Sequence, residues 1–277
     1  MLFIKKIFNC FLNFLFFIKI LNFRRKSLRV LMFHDIEDKN NFVKQIKFLK
    51  KKWKFITPNL FYQICLGKKK VNGRYLLLTF DDGFKSNIYV AKTILKKLNI
   101  KAIFFVPLKF LLIKLKKNKI NFLKTNLKIK NISKNMNNMN IVDLKKLIKL
   151  KHSIGAHTYS HINLKKINNN KKLKFEIVES ANKLEKKLNI KVNYFAFNFG
   201  RLEHISPKIV HFAKNRFKAI FTGIRGENFN KKKLIFRDNI SPQDNYFDIN
   251  TYLSGHLDFL YSKEREIVET QFKKNKN

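Results

Sequence analysis

Acidic residues are scarce in this chain. Eighteen Asp and Glu stand against 60 Lys and Arg over 277 residues, a formal net charge of +42. A charge of that size attracts nucleic acid and anionic lipid alike. What is missing beside it is an arginine-rich cluster with interleaved aromatics, the pattern that grips a nucleic-acid backbone and stacks on its bases. The excess is mostly lysine, scattered along the whole length with abundant Asn, Ile and Phe, the mix a strongly AT-rich genome imposes on solvated faces. Specific nucleic-acid binding is therefore set aside, and weak attraction to anionic membranes is retained.

Cysteine is nearly absent too. Cys10 and Cys65 make neither a disulfide framework nor a CxxC metal site, and both read as small buried hydrophobes. A clean spanning run is lacking as well. Residues 1–23 are apolar but broken by Asn9, Asn13, Lys19 and Asn22, and no A-x-A-like cleavage site follows. Lys5, Lys6, Asn9 and Asn13 share one side of a helical wheel, which suits a helix lying in the membrane surface. Arg24, Arg25, Lys26 and Arg29 flank it with positive charge. The expectation is a membrane-associating segment over 1–26, with its side of the membrane open, followed by one globular domain over 27–277. With 45% hydrophobic and 14% aromatic residues, the chain has ample material for a core. No internal repeat or linker divides it.

What the chain does contain is an alternation of strand and helix signals. Leu28–Phe33, Tyr75–Phe80, Lys101–Val106, Ser153–Ala156 and Tyr194–Phe197 are short apolar runs of strand length. Asn41–Trp53, Ile88–Leu98, Asp143–Lys149 and Lys171–Lys187 carry apolar residues at helical spacing. This order predicts an α/β fold with a mostly parallel sheet, open or closed into a barrel. Reactive groups in such folds gather at the carboxyl ends of the strands. The Lys/Asn-rich stretch near 109–140 reads as an insertion or mobile flap.

Four strand ends carry chemistry-bearing residues. Thr79-Phe80-Asp81-Asp82-Gly83 places two carboxylates side by side, where one can bind a divalent metal and the other accept a proton; a solvated capping turn is the plain alternative. His157-Thr158-Tyr159-Ser160-His161 offers two imidazoles four residues apart, able to chelate one ion, without the intervening Glu of HExxH. Asp82 supplies a third ligand and Asp81 a base, completing a two-His, one-carboxylate set with room for water. Phe195-Ala196-Phe197-Asn198-Phe199-Gly200 ends in a turn whose backbone N–H groups could meet an oxyanion, or it is simply a buried aromatic strand. Leu31-Met32-Phe33-His34-Asp35 ends in a histidine that could protonate a leaving group or could be structural.

Together the TFDDG and HTYSH segments resemble the signatures of the polysaccharide deacetylase family, also called the NodB-homology or carbohydrate esterase family 4, over roughly residues 28–240. The resemblance implies a deformed (β/α) barrel of NodB type and a metal-dependent hydrolase that removes N-acetyl groups from amino sugars of a polysaccharide or lipid-linked glycan. It implies Asp81 as catalytic base and Asp82, His157 and His161 as ligands of one divalent ion, with Zn²⁺ the first candidate. The spacing is similar to the branch with a FAYPFG motif and an early histidine, which resembles a circular permutation and makes His34 the general acid. The Phe199 N–H then serves the oxyanion. FAFNFG departs from the branch at Phe197 and Asn198, and Ala196 stands where the family has an arginine that orients the base; Arg237 is the candidate to replace it. An alternative reading is a catalytically degenerate, membrane-associated carbohydrate-binding protein of the same fold. His152, His204 and His211 read as surface histidines, His256 as a reserve acid, and Trp53 as core packing.

Overall fold

The computed structural model describes residues 26–229, 231 and 233–274. Cys10 and all but the last residue of the membrane-associating segment lie outside them. Among the described residues no helix is long and apolar enough to cross a membrane.

Among the described residues nine strands form a single parallel sheet: β1 (Ser27–Phe33), β2 (Lys54–Phe55), β3 (Arg74–Phe80), β4 (Ala102–Val106), β5 (Ser153–Ala156), β6 (Tyr194–Ala196), β7 (Ala219–Phe221), β8 (Leu234–Ile235) and β9 (Asp238–Asn239). Their order is β8-β7-β6-β5-β4-β3-β1-β9, with β2 beside the start of β3. The sheet curls into a deformed (β/α) barrel. Its two ends are almost consecutive in sequence: β8 pairs with β7, β9 pairs with β1, and only Phe236 and Arg237 separate them. One crossing segment thus draws both edges together.

Alternation along the strands divides the core in two. Leu28, Val30, Leu77, Ile103, Phe105, Ala196, Phe221 and Ile235 meet inside the curl, joined by Phe61, Ile64 and Cys65 of the helix Pro58–Cys65. Cys65 is buried, as its composition predicts. Leu31, Phe33, Leu78, Phe80 and Phe104 face outward and pack on Phe42, Ile46 and Leu49 of the helix Lys39–Lys50 and on Leu144 and Leu147 of Ile141–Lys149. Trp53 belongs to this outer core. Helix starts follow capping chemistry. Asp38 accepts from the Asn41 N–H, and Asn140 with Asp143 forms a reciprocal capping box.

Three expectations need correction. Arg29 does not flank a membrane segment: it is fully buried, forked onto Asp238 at 2.6 and 2.7 Å and onto Asp258 at 2.8 and 3.0 Å. The stretch near 109–140 is no bare flap. Its helices Leu108–Leu112 and Lys116–Thr125 bury Phe110, Phe122 and Leu123, with Leu127 just beyond, against Phe84, and the Phe110 and Phe122 rings are stacked at 4.7 Å. His152 is not at the surface. A left-handed turn at Lys151 tucks it under the preceding helix, where its Nδ1 accepts the Ala102 N–H at 3.1 Å and its ring meets Phe104 edge-on.

Burial, and secondarily Lys101, lowers the His152 pKa from 6.5 to about 4. The unfolded chain binds this proton first, so the stabilising contribution is complete above pH 6.5 and is lost as pH falls toward 4. The full swing is about 3 kcal/mol. His152→Asn keeps an acceptor for the Ala102 N–H and should flatten the fall in urea midpoint between pH 7 and pH 5. Parallel midpoints for both proteins would show that His152 is not the group responsible.

Candidate active and metal site

The strand ends deliver their residues to one cavity of about 530 Å³, lined by His34, Asp81, Asp82, His157, His161, Phe199 and Arg237 among others. The Asp81 N–H donates to the Phe33 carbonyl at 2.8 Å, extending the β1–β3 ladder by one step. Asp82 then takes a left-handed backbone, φ 69°, so the two neighbouring carboxylates serve different partners.

Asp81 faces the barrel seam. Arg237 forks onto it with N–O distances of 2.7 and 2.9 Å, while its Nε donates to the Thr222 carbonyl at 2.7 Å. Arg237 and Asp81 are 1% and 2% exposed, so this is a buried pair and not a surface one. The crossing segment between β8 and β9 is what brings an arginine 156 residues away to this carboxylate.

Asp82 faces the histidines. Its Oδ1 lies 3.4 Å from His157 Nε2 and 3.2 Å from His161 Nε2. Both imidazoles are anchored at the other nitrogen by backbone carbonyls, His157 Nδ1 on Ala196 at 2.8 Å and His161 Nδ1 on Asn126 at 3.1 Å. Carbonyls only accept, so each Nδ1 carries the proton and each neutral Nε2 presents a lone pair toward Asp82. Asp82 Oδ1 has no hydrogen-bond donor among the described residues, and the three ligand atoms lie within 4.8 Å of one another. Burial alone would raise the Asp82 carboxyl, but His161 and His157 outweigh it and hold the group well below the usual carboxylate range. Burial would lower His161, and Asp82 overrides that and raises it. The cluster demands a positive charge between its members, which a proton on His161 or a divalent cation can supply. Two imidazoles and a carboxylate fit such a cation.

The supporting contacts include residues the sequence did not single out. Buried Glu176 accepts from the Tyr159 and Ser160 N–H groups at 3.0 and 2.9 Å and from the Ser160 hydroxyl at 2.6 Å, clamping the loop between the two histidines. Its only signal was an acid on the apolar face of the helical stretch that carries Leu173 and Ile177. Asn126 holds the same loop from the 109–140 lobe, its Nδ2 donating to the Ser160 carbonyl at 2.7 Å. Asn198 donates to Thr158 Oγ1 and the Ile162 carbonyl, both at 2.9 Å, so the departure from the FAYPFG pattern braces the histidine loop.

His34 sits at the end of β1, partly buried on the cavity wall, with its carbonyl accepting from Asn87. Phe199 adopts φ 60° and lays its ring edge-on to His161 at 5.0 Å. Gly200 follows at φ 65°, and a Cβ there would come within 2.3 Å of the Gly223 nitrogen, so this turn requires glycine. His204 packs partly buried against Phe199, His211 is exposed, and His256 does not line the cavity.

The sequence profile of the family described as polysaccharide deacetylase matches residues 68–217, a span that holds Asp81, Asp82, His157, His161 and Phe199 but neither His34 nor Arg237. Solved structures share the fold. IcaB from Ammonifex degensii superposes with a TM-score of 0.66 at 18% identity, covering 83% of this chain and 97% of that one. The Streptococcus pyogenes deacetylase PplD, solved with acetate, gives 0.64 at 19% identity over 83% and 99%. A de-N-acetylase from Aggregatibacter actinomycetemcomitans gives 0.61 at 16% identity over 81% and 99%. No curated protein sequence matches this one.

Proposed function

Since the chain belongs to the polysaccharide deacetylase family and is thereby a carbohydrate N-deacetylase, we propose that it removes N-acetyl groups from amino sugars of a polysaccharide or lipid-linked glycan with the help of one divalent ion. Asp82, His157 and His161 would hold that ion, Zn²⁺ by preference. The observation that carries the reading is the split of one carboxylate pair, Asp82 on two imidazoles and Asp81 on a buried guanidinium.

When bound, the cation supplies Lewis acidity, lowering the pKa of water toward about 7 and polarising the acetyl carbonyl. Asp81, held in orientation by Arg237, accepts the proton of the attacking water. The Phe199 N–H donates to the oxyanion as the carbonyl becomes tetrahedral. His34 gives a proton to the departing sugar amine, and acetate is the other product. The degenerate binding protein is the weaker reading, because its one support, the altered FAFNFG motif, has a use in bracing the histidine loop. Residues 1–26 serve, in this proposal, only to hold the enzyme at an anionic membrane surface.

Acetate release from N-acetylated chito-oligosaccharides tests the proposal. A chelator should lower it by at least about a hundredfold, with recovery on added Zn²⁺. Protein lacking residues 1–26 should keep its turnover and, at high salt where the attraction of the remaining lysines is screened, should no longer sediment with anionic vesicles. Release indifferent to chelation sinks the metal, no release at all sinks the activity, and unchanged sedimentation sinks the membrane role.

A further inference from the structure

The strands run parallel, so their starts lie at one end of the barrel and the Asp81 cavity at the other. Charge divides along the same axis. The connections into β2 to β7 are residues 51–53, 66–73, 96–101, 150–152, 189–193 and 217–218, and they hold eleven lysines and no carboxylate side chain. Two connections that leave strands, residues 34–38 and 81–84, hold five of the chain's 18 acids.

Helix dipoles account for only part of this. Lys47, Lys146 and Lys186 lie in last turns, where a cation is stabilising. That effect fades within the turn, whereas Lys68, Lys69 and Lys70 stand clear of the helix Pro58–Cys65, and Lys101 and Lys218 directly precede β4 and β7. Acids that approach this end are engaged. Glu185 pairs with Arg216 at 2.8 Å and accepts the Val192 N–H at 2.7 Å. Glu227 accepts from the Ser27 hydroxyl and the Leu28 N–H at 2.6 and 2.7 Å, and Glu269 pairs with Lys231.

Two further observations select the partner. Residues 1–26 lead into this same end, because Ser27 opens β1 in register with Arg74 at the start of β3. A cleft of about 560 Å³ opens there between residues 50–55 and 98–100, with room for an anionic headgroup beside Lys50 and Lys51. Nucleic acid suits the face less well: Trp53 is 3% exposed and Phe55 and Tyr75 are half-buried, so bases find no stacking platform. The 109–140 lobe is also basic, with nine lysines and no acid between Lys109 and Lys134. It lies at the opposite end, where Leu127, Ile129 and Met136 line the Asp81 cavity.

Building on the reading of residues 1–26 as a membrane anchor, we infer that the strand-start end of the barrel docks on an anionic lipid surface, with the active site facing away from it. The seven residues of β3 separate that end from Asp81 by about 20 Å, at roughly 3.3 Å per residue. At that height the site reaches glycan chains that extend from the surface, and it passes over a sugar joined directly to a lipid.

The test titrates full-length protein with phosphatidylcholine vesicles containing phosphatidylserine. Lys51→Glu, Lys52→Glu, Lys68→Glu and Lys69→Glu together should weaken binding at least about a hundredfold. Lys114→Glu, Lys116→Glu, Lys117→Glu and Lys124→Glu make the same change in net charge on the lobe and should have a far smaller effect. Circular dichroism checks that both proteins stay folded. Trp53, the chain's one tryptophan, reports orientation without a change of charge. Its energy transfer to dansyl-labelled lipid should exceed that of the Trp53→Phe, Leu115→Trp protein, whose reporter sits on the lobe. Vesicle-bound enzyme should also deacetylate an N-acetyl sugar on a long spacer faster than one joined directly to its lipid. Equal weakening by the two charge sets, stronger transfer from position 115, or equal rates on the two lipids overturns the docking while leaving the anchor standing. A wild-type protein that ignores anionic vesicles removes anchor and docking together. Single-stranded RNA bound more tightly than vesicles, and lost with the first charge set, overturns the lipid assignment.

Discussion

Arg237→Leu is expected to cost about 3–5 kcal/mol of folding stability and to remove measurable turnover. The size follows from what is left behind. Asp81 is 2% exposed, and Arg237 makes both of its side-chain hydrogen bonds among the described residues. Removing the guanidinium strands a carboxylate in the barrel interior. Arg237→Lys restores the charge but not the planar fork, so it should recover part of the stability and little of the orientation. A double-mutant cycle isolates the pair. In an Asp81→Asn background a neutral amide has less need of the guanidinium, and Arg237→Leu should cost markedly less there. Urea unfolding of the four proteins measures this directly. Equal losses in both backgrounds would mean that Arg237 supports the seam through Thr222 and Thr79 and does not hold the base.

Strands β1, β3, β4 and β5 were legible because each is an apolar run of four to seven residues ending in polar groups, and the three-residue β6 because Phe197 lengthens its apolar run. Strand β7 has three residues and β8 and β9 have two each, too short for any period to register. Those same strands close the barrel, so closure itself was hidden while the parallel sheet was not. The 109–140 stretch misled for a compositional reason. Lys and Asn dominate it, yet Phe110, Phe122, Leu123 and Leu127 suffice for a small core once Phe84 of the neighbouring strand end joins them.

In the site, the residues with local patterns were visible. TFDDG and HTYSH bring their side chains together through one turn of backbone, so spacing carries the information. Arg237 came into view only through the missing arginine at Ala196. Glu176 and Asn126 had no comparable signal, because they act on backbone groups: Glu176 accepts N–H groups that every residue but proline has, and Asn126 offers His161 its own carbonyl. His152 failed for a related reason. A polar residue beside lysines suggests solvent, but its burial depends on a strand N–H fifty positions away.

Asp81→Asn is expected to lower turnover by about two to four orders of magnitude while bound metal stays at the wild-type level. Asparagine keeps the shape and can still hydrogen-bond, but it does not accept the proton of the attacking water. The proposed ligands Asp82, His157 and His161 are untouched by the change, and Asp81 Oδ2 stands 3.9 Å from His157 Nε2, outside the ligand cluster. His34→Ala should also spare the metal, since His34 is not among the clustered ligand atoms. Its effect should depend on the leaving group. An amine must be protonated to depart, whereas the phenolate of an activated acetate ester leaves unaided. Turnover of the N-acetyl sugar should therefore fall far more than turnover of the ester in His34→Ala, and by similar factors in Asp81→Asn, because water must be deprotonated for both. The two variants thus separate attack from departure in one pair of assays with metal content as the control. Equal losses on amide and ester in His34→Ala would deny His34 the acid role. Loss of metal in Asp81→Asn would make Asp81 a ligand and return the search for the base to the rest of the cavity.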